Sequence, residues 1–292
     1  MSTPRVHVVI VNWNLAEDTL ACLASVFETG YPSLEAVVID NGSVDGSVHR
    51  IRRVFPDVGQ IVNQHNEGFA RAANQGIRHA LDSGSDYVMT LNNDTIVAPN
   101  LLEHLVTVAQ GDANIGILAP RIMYFDKPDR TWHLAARWHS WQPRPIMVHH
   151  ADHGDTPLEV DFVSGCGMML TRYLLEEVGG FDDSFFMYGE DVDLCARAKQ
   201  AGYKVVAVPR AHMWHKVSAS ACKISAEARY WRTRNQILVY RRYPHGPLAG
   251  WLPAYVILKA AYDIACDLAR GQLGLIRPLL RGTRDGLCGP VA

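Results

Sequence analysis

Residues 6–14, VHVVIVNWN, begin as a β-branched run from Val6 to Val11 and turn polar at Asn12 and Asn14. A run with so little polar alternation fits a strand buried on both faces, as in a parallel sheet with helices on either side. Downstream, Leu15 to Thr29 carries apolar residues at Leu20, Leu23, Ala24, Val26 and Phe27, a helical spacing, and Gly30-Tyr31-Pro32 stops it. Glu35–Asp40 (EAVVID) reads as the next strand and ends in Asn41-Gly42-Ser43. The pattern then repeats as helix Ser47–Val54, strand Gly59–Val62, helix Gly68–Ser83, strand Tyr87–Leu91 and helix Asn100–Ala109. Strands alternating with helices at this spacing predict an α/β fold with a parallel sheet covered by helices. Ligands of such sheets bind at the carboxyl ends of the strands. The polar residues collect at those ends: Asn12, Asn14, Asp40, Asn66 and Asp94.

The second half is less regular. About Pro120 to Glu159 is rich in Trp, His and Pro and reads as irregular chain. Asp161–Leu170 reads as a strand followed by a helix to Val178, Phe181–Tyr188 as a loop, Glu190–Gln200 as a helix and Lys204–Val208 as a strand. From Ser225 the chain reads as helical and basic, with Arg229, Arg232, Arg234, Arg241 and Arg242 closely spaced.

The 292 residues are 48% hydrophobic and 20% charged, ordinary globular composition, and a net charge of −2 argues against a nucleic-acid binder. Six scattered cysteines with no CxxC pair suit reduced, mostly buried thiols. The apolar start is too short for a signal peptide, and no segment reaches the roughly 20 apolar residues that span a bilayer. The expectation is a cytoplasmic protein.

Several nucleotide sites are excluded. No Gly-Lys dipeptide exists for a P-loop, and Asn12-Trp13-Asn14 stands where a dinucleotide fingerprint would need glycines. There is no GxSxG elbow and no HExxH. What remains is a site of side-chain carboxylates and amides at strand ends, consistent with a metal-bridged diphosphate. Asp94 is either a turn former and cap ahead of Asn100 or one ligand of a hard divalent ion, which takes one or two carboxylates plus phosphates. Glu190-Asp191, after the aromatic Phe185-Phe186-Met187-Tyr188-Gly189, is either an acidic helix cap or a general base against a pocket wall. His215 is a ligand, a base or a structural histidine. His149, His150, Asp152 and His153 resemble a zinc tract by composition only, in an irregular segment. Trp132, Trp138 and Trp141 stack on sugars or serve as packing residues.

Six stretches then match a known family in order: VVIVNWN (Val8–Asn14), VIDNGSVDGS (Val38–Ser47), NEGFARAANQG (Asn66–Gly76), LNNDT (Leu91–Thr95), FVSGCGMML (Phe162–Leu170) and FDDSFFMYGEDVDLCARAKQAGYKV (Phe181–Val205). The chain resembles the family 2 glycosyltransferases of the GT-A fold, in particular the bacterial rhamnosyltransferase-like members, over roughly residues 6–220. The resemblance implies a mostly parallel sheet flanked by helices, with the donor half at about 1–120, the acceptor half at about 121–222 and a helical extension over 223–292. It implies that Asp40 reads the donor base, that Asn66, Gly68 and Asn74 line the ribose and diphosphate, and that Val11, Asn12, Asn14, Phe69, Asn92 and Asn93 complete the donor side. Asp94 matches the last acid of the DxD motif. His215, ahead of Ser218 and Ser220, resembles the later histidine of the metal site, with His212 as a substitute. Asp191 corresponds to the catalytic base beside Glu190, and Ser164, Gly165, Trp138 and Tyr188 fall on the acceptor side. One departure is Asn92, an amide where the motif has its first acid.

The resemblance further implies an inverting, metal-dependent hexosyltransferase that uses Mg²⁺ or Mn²⁺. Its donor is a nucleotide-sugar, with dTDP-L-rhamnose favoured over UDP-hexoses, and its acceptor a glycan or polyprenyl-linked glycan. Non-catalytic nucleotide-sugar binding on the same fold is the alternative that Asn92 and Asn93 leave open. The basic C-terminal region, with Trp251, Tyr255 and the arginines of 229–242 and 270–284, is expected either to rest on the inner face of a membrane or to cap the sheet or form a homodimer.

Overall fold

The computed structural model describes residues 3–139, 145–148, 154–216, 225–244 and 248–290. Trp141, His149, His150, Asp152, His153, Ser218, Ser220 and Cys222 lie outside the described residues. The first half folds as its sequence pattern predicts: β1 (Val6–Asn12), α1 (Ala16–Glu28), β2 (Leu34–Asp40), α2 (Ser47–Val54), β3 (Gly59–Val62), α3 (Phe69–Asp82) and β4 (Tyr87–Asn92). Strands β4, β1, β2 and β3 lie side by side and parallel, Asn12 opposite Asp40 and Val11 opposite Asn92. The polar strand ends are therefore brought to one edge.

Alternate residues of these strands feed two cores. Val9, Val37 and Ile39 pack with Ala73 and Ile77 of α3, while Val8, Ile10 and Val38 pack with Leu23 and Val26 of α1. Burial on both faces is why β1, β2 and β4 read as nearly continuous apolar runs, while β3 is only half-buried.

After β4 come β5 (Thr95–Val97), α4 (Leu101–Gly111), β6 (Ile115–Tyr124), β7 (Thr131–His133), β8 (Ala135–Trp138), β9 (Pro145–Val148), β10 (Leu158–Val160) and β11 (Gly167–Thr171). They are followed by α5 (Arg172–Val178), α6 (Glu190–Gln200) and β12 (Lys204–His215). The expectation of irregular chain from Pro120 to Glu159 is corrected by the structure, since among its described residues that stretch holds three whole strands, the end of β6 and the start of β10. β11 inserts antiparallel between β4 and β6, and β12 runs parallel to β6. The strand expected over Asp161–Leu170 is confined to Gly167–Thr171; residues before it form a loop that lines the site. The strand expected to end at Val208 continues to His215, past an irregularity in register between Val208 and His212. Pro209 sits in that irregularity, and Pro120 stands opposite Val208. A proline lacks the ladder N–H and is confined to edges and bulges, which is why both strands read as broken.

Three helices close the chain: α7 (Ala226–Arg242), α8 (Leu248–Ala269) and α9 (Ile276–Cys288). The arginines of α7 do not form an outward basic face. Arg229 pairs with Asp267, Arg242 with Asp182 and Asp193, Arg234 donates to the Ser184 carbonyl, and Arg241 to the carbonyls of Gly286 and Gly289. Among the described residues the cysteines are free, with Cys22, Cys166 and Cys195 buried.

Candidate active site

β5 returns antiparallel along the end of β12, so that His215 lies opposite Thr95, the neighbour of Asp94. The Asp94 carbonyl accepts from the Lys216 amide at 2.9 Å, which fixes the two chains side by side. His215 Nε2 then stands 3.1 Å from Asp94 Oδ1. The other ring nitrogen, Nδ1, is buried and finds no partner among the described residues, and the Trp132 ring meets the imidazole edge-on at 4.8 Å. No group of three or more His, Cys, Asp and Glu gathers around a point among the described residues. An octahedral divalent ion with bonds near 2.1 Å places adjacent ligands roughly 3 Å apart, so the Asp94–His215 pair fits two corners and leaves the rest to phosphate and water. His212 is not part of this arrangement. It stacks edge-on against Trp214, and Nδ1 lies 3.2 Å from the Arg210 carbonyl.

A second acidic centre faces the first across a cavity of about 610 Å³. Tyr188 and Gly189 both take left-handed backbone angles, φ 66° and 95°, and this turn starts α6 at Glu190. Asp191 Oδ2 accepts from the Gly165 amide at 2.9 Å and Oδ1 from its neighbour Val192 at 2.8 Å. Gly165 makes this approach easy, since a Cβ there would stand 3.2 Å from that of Asp191, a tight contact that the neighbour would have to relieve. Burial pushes the Glu190 carboxyl up to about 8, with the Asp191 charge adding to the shift, and its Oε2 has no partner among the described residues. Burial also raises Asp191, against the lowering effect of its two amides. Neighbouring carboxyls divide their roles when environments push their pKa values apart. Burial acts on both carboxyls, and the Gly165 and Val192 amides favour the charged form of Asp191, which makes it the member of the pair better placed to ionise.

Of the candidate residues, Phe69, Asn92, Asp94, Ser164, Gly165, Tyr188, Glu190, Asp191 and His215 line this one cavity. Asn12 and Asp40 form a buried network beside it. Asn12 donates to Asp40 at 2.7 Å and to Ser43 at 3.0 Å, accepts from Thr19 at 2.7 Å, and accepts from Asn93 at 3.2 Å. Asp40 also accepts from the Ser43 amide at 2.9 Å, so each of its oxygens has a protein donor. Asn14, at φ 57°, accepts from the Val44 amide at 3.0 Å. Val11 is half-buried on β1. Asn66 accepts from Asn41 at 2.9 Å and from the Gly68 amide at 2.9 Å. Gly68, at φ +85°, passes so close to Phe186 that a Cβ would meet its carbonyl oxygen at 2.5 Å.

Two expected residues sit elsewhere. Asn74 is buried away from the cavity, with its amide bonded to Phe181 N, Phe181 O and Asp183, so it ties α3 to the aromatic loop. Trp138 packs on Phe162 at 5.1 Å and lines a neighbouring cavity of about 300 Å³. Phe162, Tyr188, Gly189 and Arg232 border both cavities.

The contribution of α7 was not legible in the sequence. Asn235, fully buried, donates to the carbonyls of Met187 at 2.8 Å and Tyr188 at 2.9 Å. Arg242 and the Tyr243 hydroxyl meet Asp193, one turn into α6. Trp231 stacks on Phe186 at 5.1 Å, and Arg232 lies over the Tyr188 ring. The one signal that could have pointed to it was Asn235 itself, an amide set in a basic helix.

Comparison with known proteins gives a consistent result. The family model described as Glycosyl transferase family 2 matches residues 7–179, and one described as N-terminal domain of galactosyltransferase matches 145–218. An N-acetylglucosaminyl-diphospho-decaprenol L-rhamnosyltransferase of Mycobacterium tuberculosis is 29% identical over 237 residues, 73% of this chain and 76% of that one. The dTDP-rhamnosyl transferase RfbF of Shigella flexneri is 23% identical over 98% of this chain and 96% of its own. Among solved structures, the mannosyltransferase PcManGT from Pyrobaculum calidifontis, in complex with GDP-Man and Mn²⁺, superposes with a TM-score of 0.62. That match covers 99% of this chain and 88% of the other at 19% identity, and it shows the fold.

Proposed function

The chain belongs to glycosyl transferase family 2, and we propose that it is an inverting, metal-dependent member that moves L-rhamnose from dTDP-rhamnose to a hydroxyl of a lipid-linked glycan. The observation that carries this reading is the single cavity bordered by Asp94 and His215 on one side and Asp191 on the other. The rhamnosyl donor and lipid-linked acceptor are supported by what the two relatives' names say of those proteins. The catalytic unit in this reading is 1–222, with its donor half about 1–120 and its acceptor half about 121–222. The helices of 223–292 complete the acceptor wall from outside, in the cytoplasm at the inner face of a membrane.

Asp94 and His215 would hold Mg²⁺ or Mn²⁺, which neutralises charge on the departing diphosphate. Asp191 takes the proton of the acceptor hydroxyl. The oxygen attacks the anomeric carbon from the face opposite the diphosphate, the bond to phosphate breaks, and the nucleoside diphosphate leaves with inverted configuration at the sugar. Glu190, kept neutral by burial, spares Asp191 a second adjacent charge. Asn92 offers an amide oxygen to the donor where an acid would offer charge. Asn12, Asn14, Asp40, Asn66 and Gly68 shape the loops around the nucleotide, and Ser164, Gly165, Trp138 and Tyr188 the acceptor side.

A thermal-shift series tests this, because a ligand of the native state raises stability by mass action. We expect dTDP-rhamnose with Mn²⁺ to raise Tm, and to do so less without metal or in His215→Ala. A larger metal-dependent shift with a UDP-hexose would replace the donor. Binding without transfer to any glycan acceptor, and without donor hydrolysis, would leave a non-catalytic binder.

A further inference from the structure

A surface helix ordinarily turns its charges to water and its apolar stripe inward. α8 does the reverse. Lys259 and Asp263 are bridged to each other at 2.7 Å and only partly exposed, and Asp267 is buried against Arg229 at 2.7 Å. Turned outward are Trp251, Ile257, Leu258, Tyr262 and Leu268, which are 38, 62, 69, 69 and 54% exposed. Between Trp251 and Ala269 every exposed residue is one of these five, an alanine or a proline. The helix is nonetheless seated. Leu252 and Val256 on its inner side join a cluster with Ile237 and Tyr240 of α7.

The exposed charges carried by this stretch of chain have one sign, although Glu227 of α7, also exposed, borders a recess together with Arg277 and Arg281. Over residues 248–290 every exposed charged residue is an arginine, Arg270, Arg277, Arg281 and Arg284, and no carboxylate there is exposed. Arg284 is paired with Asp285, which leaves three cations to set the local field. Leu273 and Leu280 extend the apolar surface, at 63 and 50% exposed. No helix among the described residues is long and apolar enough to cross a membrane.

We propose that the outward face of α8, with the arginines after it, docks the protein on a bilayer surface containing anionic lipid. An apolar face with aromatic and basic residues matches the boundary between headgroups and acyl chains. A second copy of the chain is disfavoured on charge, because it would bring together two rims on which Arg270, Arg277 and Arg281 outnumber the exposed Glu227. The proposal deepens the lipid-linked acceptor reading and rests on it for its purpose. The inner face of α8 abuts Tyr240, which lines the smaller cavity beside the candidate active site. A docked α8 thus holds that cavity one helix layer from the lipid.

The test is co-sedimentation of the full chain with vesicles of phosphatidylcholine mixed with phosphatidylglycerol, and with phosphatidylcholine alone. Binding to the mixed vesicles should be roughly tenfold tighter and should weaken with added salt. Leu258→Glu combined with Tyr262→Glu should reduce it by roughly tenfold or more, with an unchanged circular-dichroism melt. Arg277→Ala with Arg281→Ala should remove the preference for anionic lipid. A chain that stays in the supernatant with both vesicles overturns the proposal, as does a double glutamate variant that binds like its parent. A solution dimer that the glutamates turn into a monomer would assign the face to a second copy instead. Vesicle binding needs neither donor nor acceptor, so it stands or fails separately from the transferase reading.

Discussion

Asp191 and Glu190 are adjacent in sequence and opposite in environment. Asp191 accepts two backbone amides and faces the cavity, whereas Glu190 is buried with an oxygen that has no partner among the described residues. A base must be ionised and within reach of the proton it takes, and of the two only Asp191 has donors that favour its charge. Asp191→Asn should therefore lower kcat by about 10²–10⁴, the usual contribution of a general base. The donor-induced rise in Tm should persist, because the amide keeps the shape of the carboxylate. Turnover within a few fold of the parent, measured by release of nucleoside diphosphate, would remove Asp191 from the role. At this scale the sequence was informative where chemistry is local: Asp94, Asp191 and His215 each stand in a recognisable motif or at a strand end. It was uninformative where a residue's job depends on a distant partner. Asn74 reads as a donor contact but spends its amide on Phe181 and Asp183.

The same distinction separates the elements. β1, β2 and β4 were legible because burial on both faces writes a nearly continuous apolar run, and each ends at a polar turn; β3, half-buried and carrying Gln60, was placed by its spacing between two helices. β6 was not, and β12 only as far as Val208, because Pro120 and Pro209 interrupt them, and a pairing across the sheet is what keeps them extended. α7 reads in the sequence as a basic helix that either rests on a membrane, caps the sheet or forms a homodimer. Its arginines instead answer carboxylates and carbonyls contributed by segments far away in sequence, which a periodicity cannot reveal. Arg242 carries the most weight: its guanidinium is nearly buried and bonds Asp182 at 2.6 Å and Asp193 at 2.9 Å. Removing one partner of a buried pair typically costs about 3–5 kcal/mol. Asp193 would keep Arg197 and the Tyr243 hydroxyl, so Arg242→Ala should lower stability by about 3 kcal/mol, at the lower end of that range. Urea unfolding midpoints measure this. Because α7 also holds the Met187–Tyr188 turn through Asn235, turnover per folded molecule should fall as well. Full specific activity in the folded fraction would make α7 a passive extension.

The pH dependence of stability belongs to the whole molecule, because its contributors sit in different parts of the fold. His7, in β1, lies edge-on to His79 at 5.3 Å, and burial lowers its pKa to about 4. Burial lowers His133, in β7, to about 4 as well. Both stay neutral in the folded chain while the unfolded chain protonates them near 6.5, so each withdraws stability as pH falls from 6.5 towards 4. Glu190 acts the other way. Raised from 4.5 to about 8, it holds a proton in the folded state that the unfolded state has lost, so its contribution is present below 4.5 and lost as pH rises to 8. Between pH 4.5 and 6.5 two histidines oppose one carboxyl, and the unfolded state binds the extra proton on balance. Asp191, also raised, offsets part of that balance at the acid end. Above 6.5 the histidines fall silent and Glu190 acts alone. Stability should peak near pH 6.5 and decline on both sides, by about 1.4 kcal/mol per pH unit per net proton. For a chain of 292 residues that corresponds to a Tm change of roughly 2–3 °C per unit. Melts in chelator across roughly pH 5 to 8 should trace that dome, Glu190→Gln should flatten its alkaline side, and His7→Gln should lessen its acid side. A Tm that climbs steadily to about pH 8 in the parent protein would mean that Glu190 ionises in the folded state like an ordinary carboxyl, and the division of labour with Asp191 would fall with it.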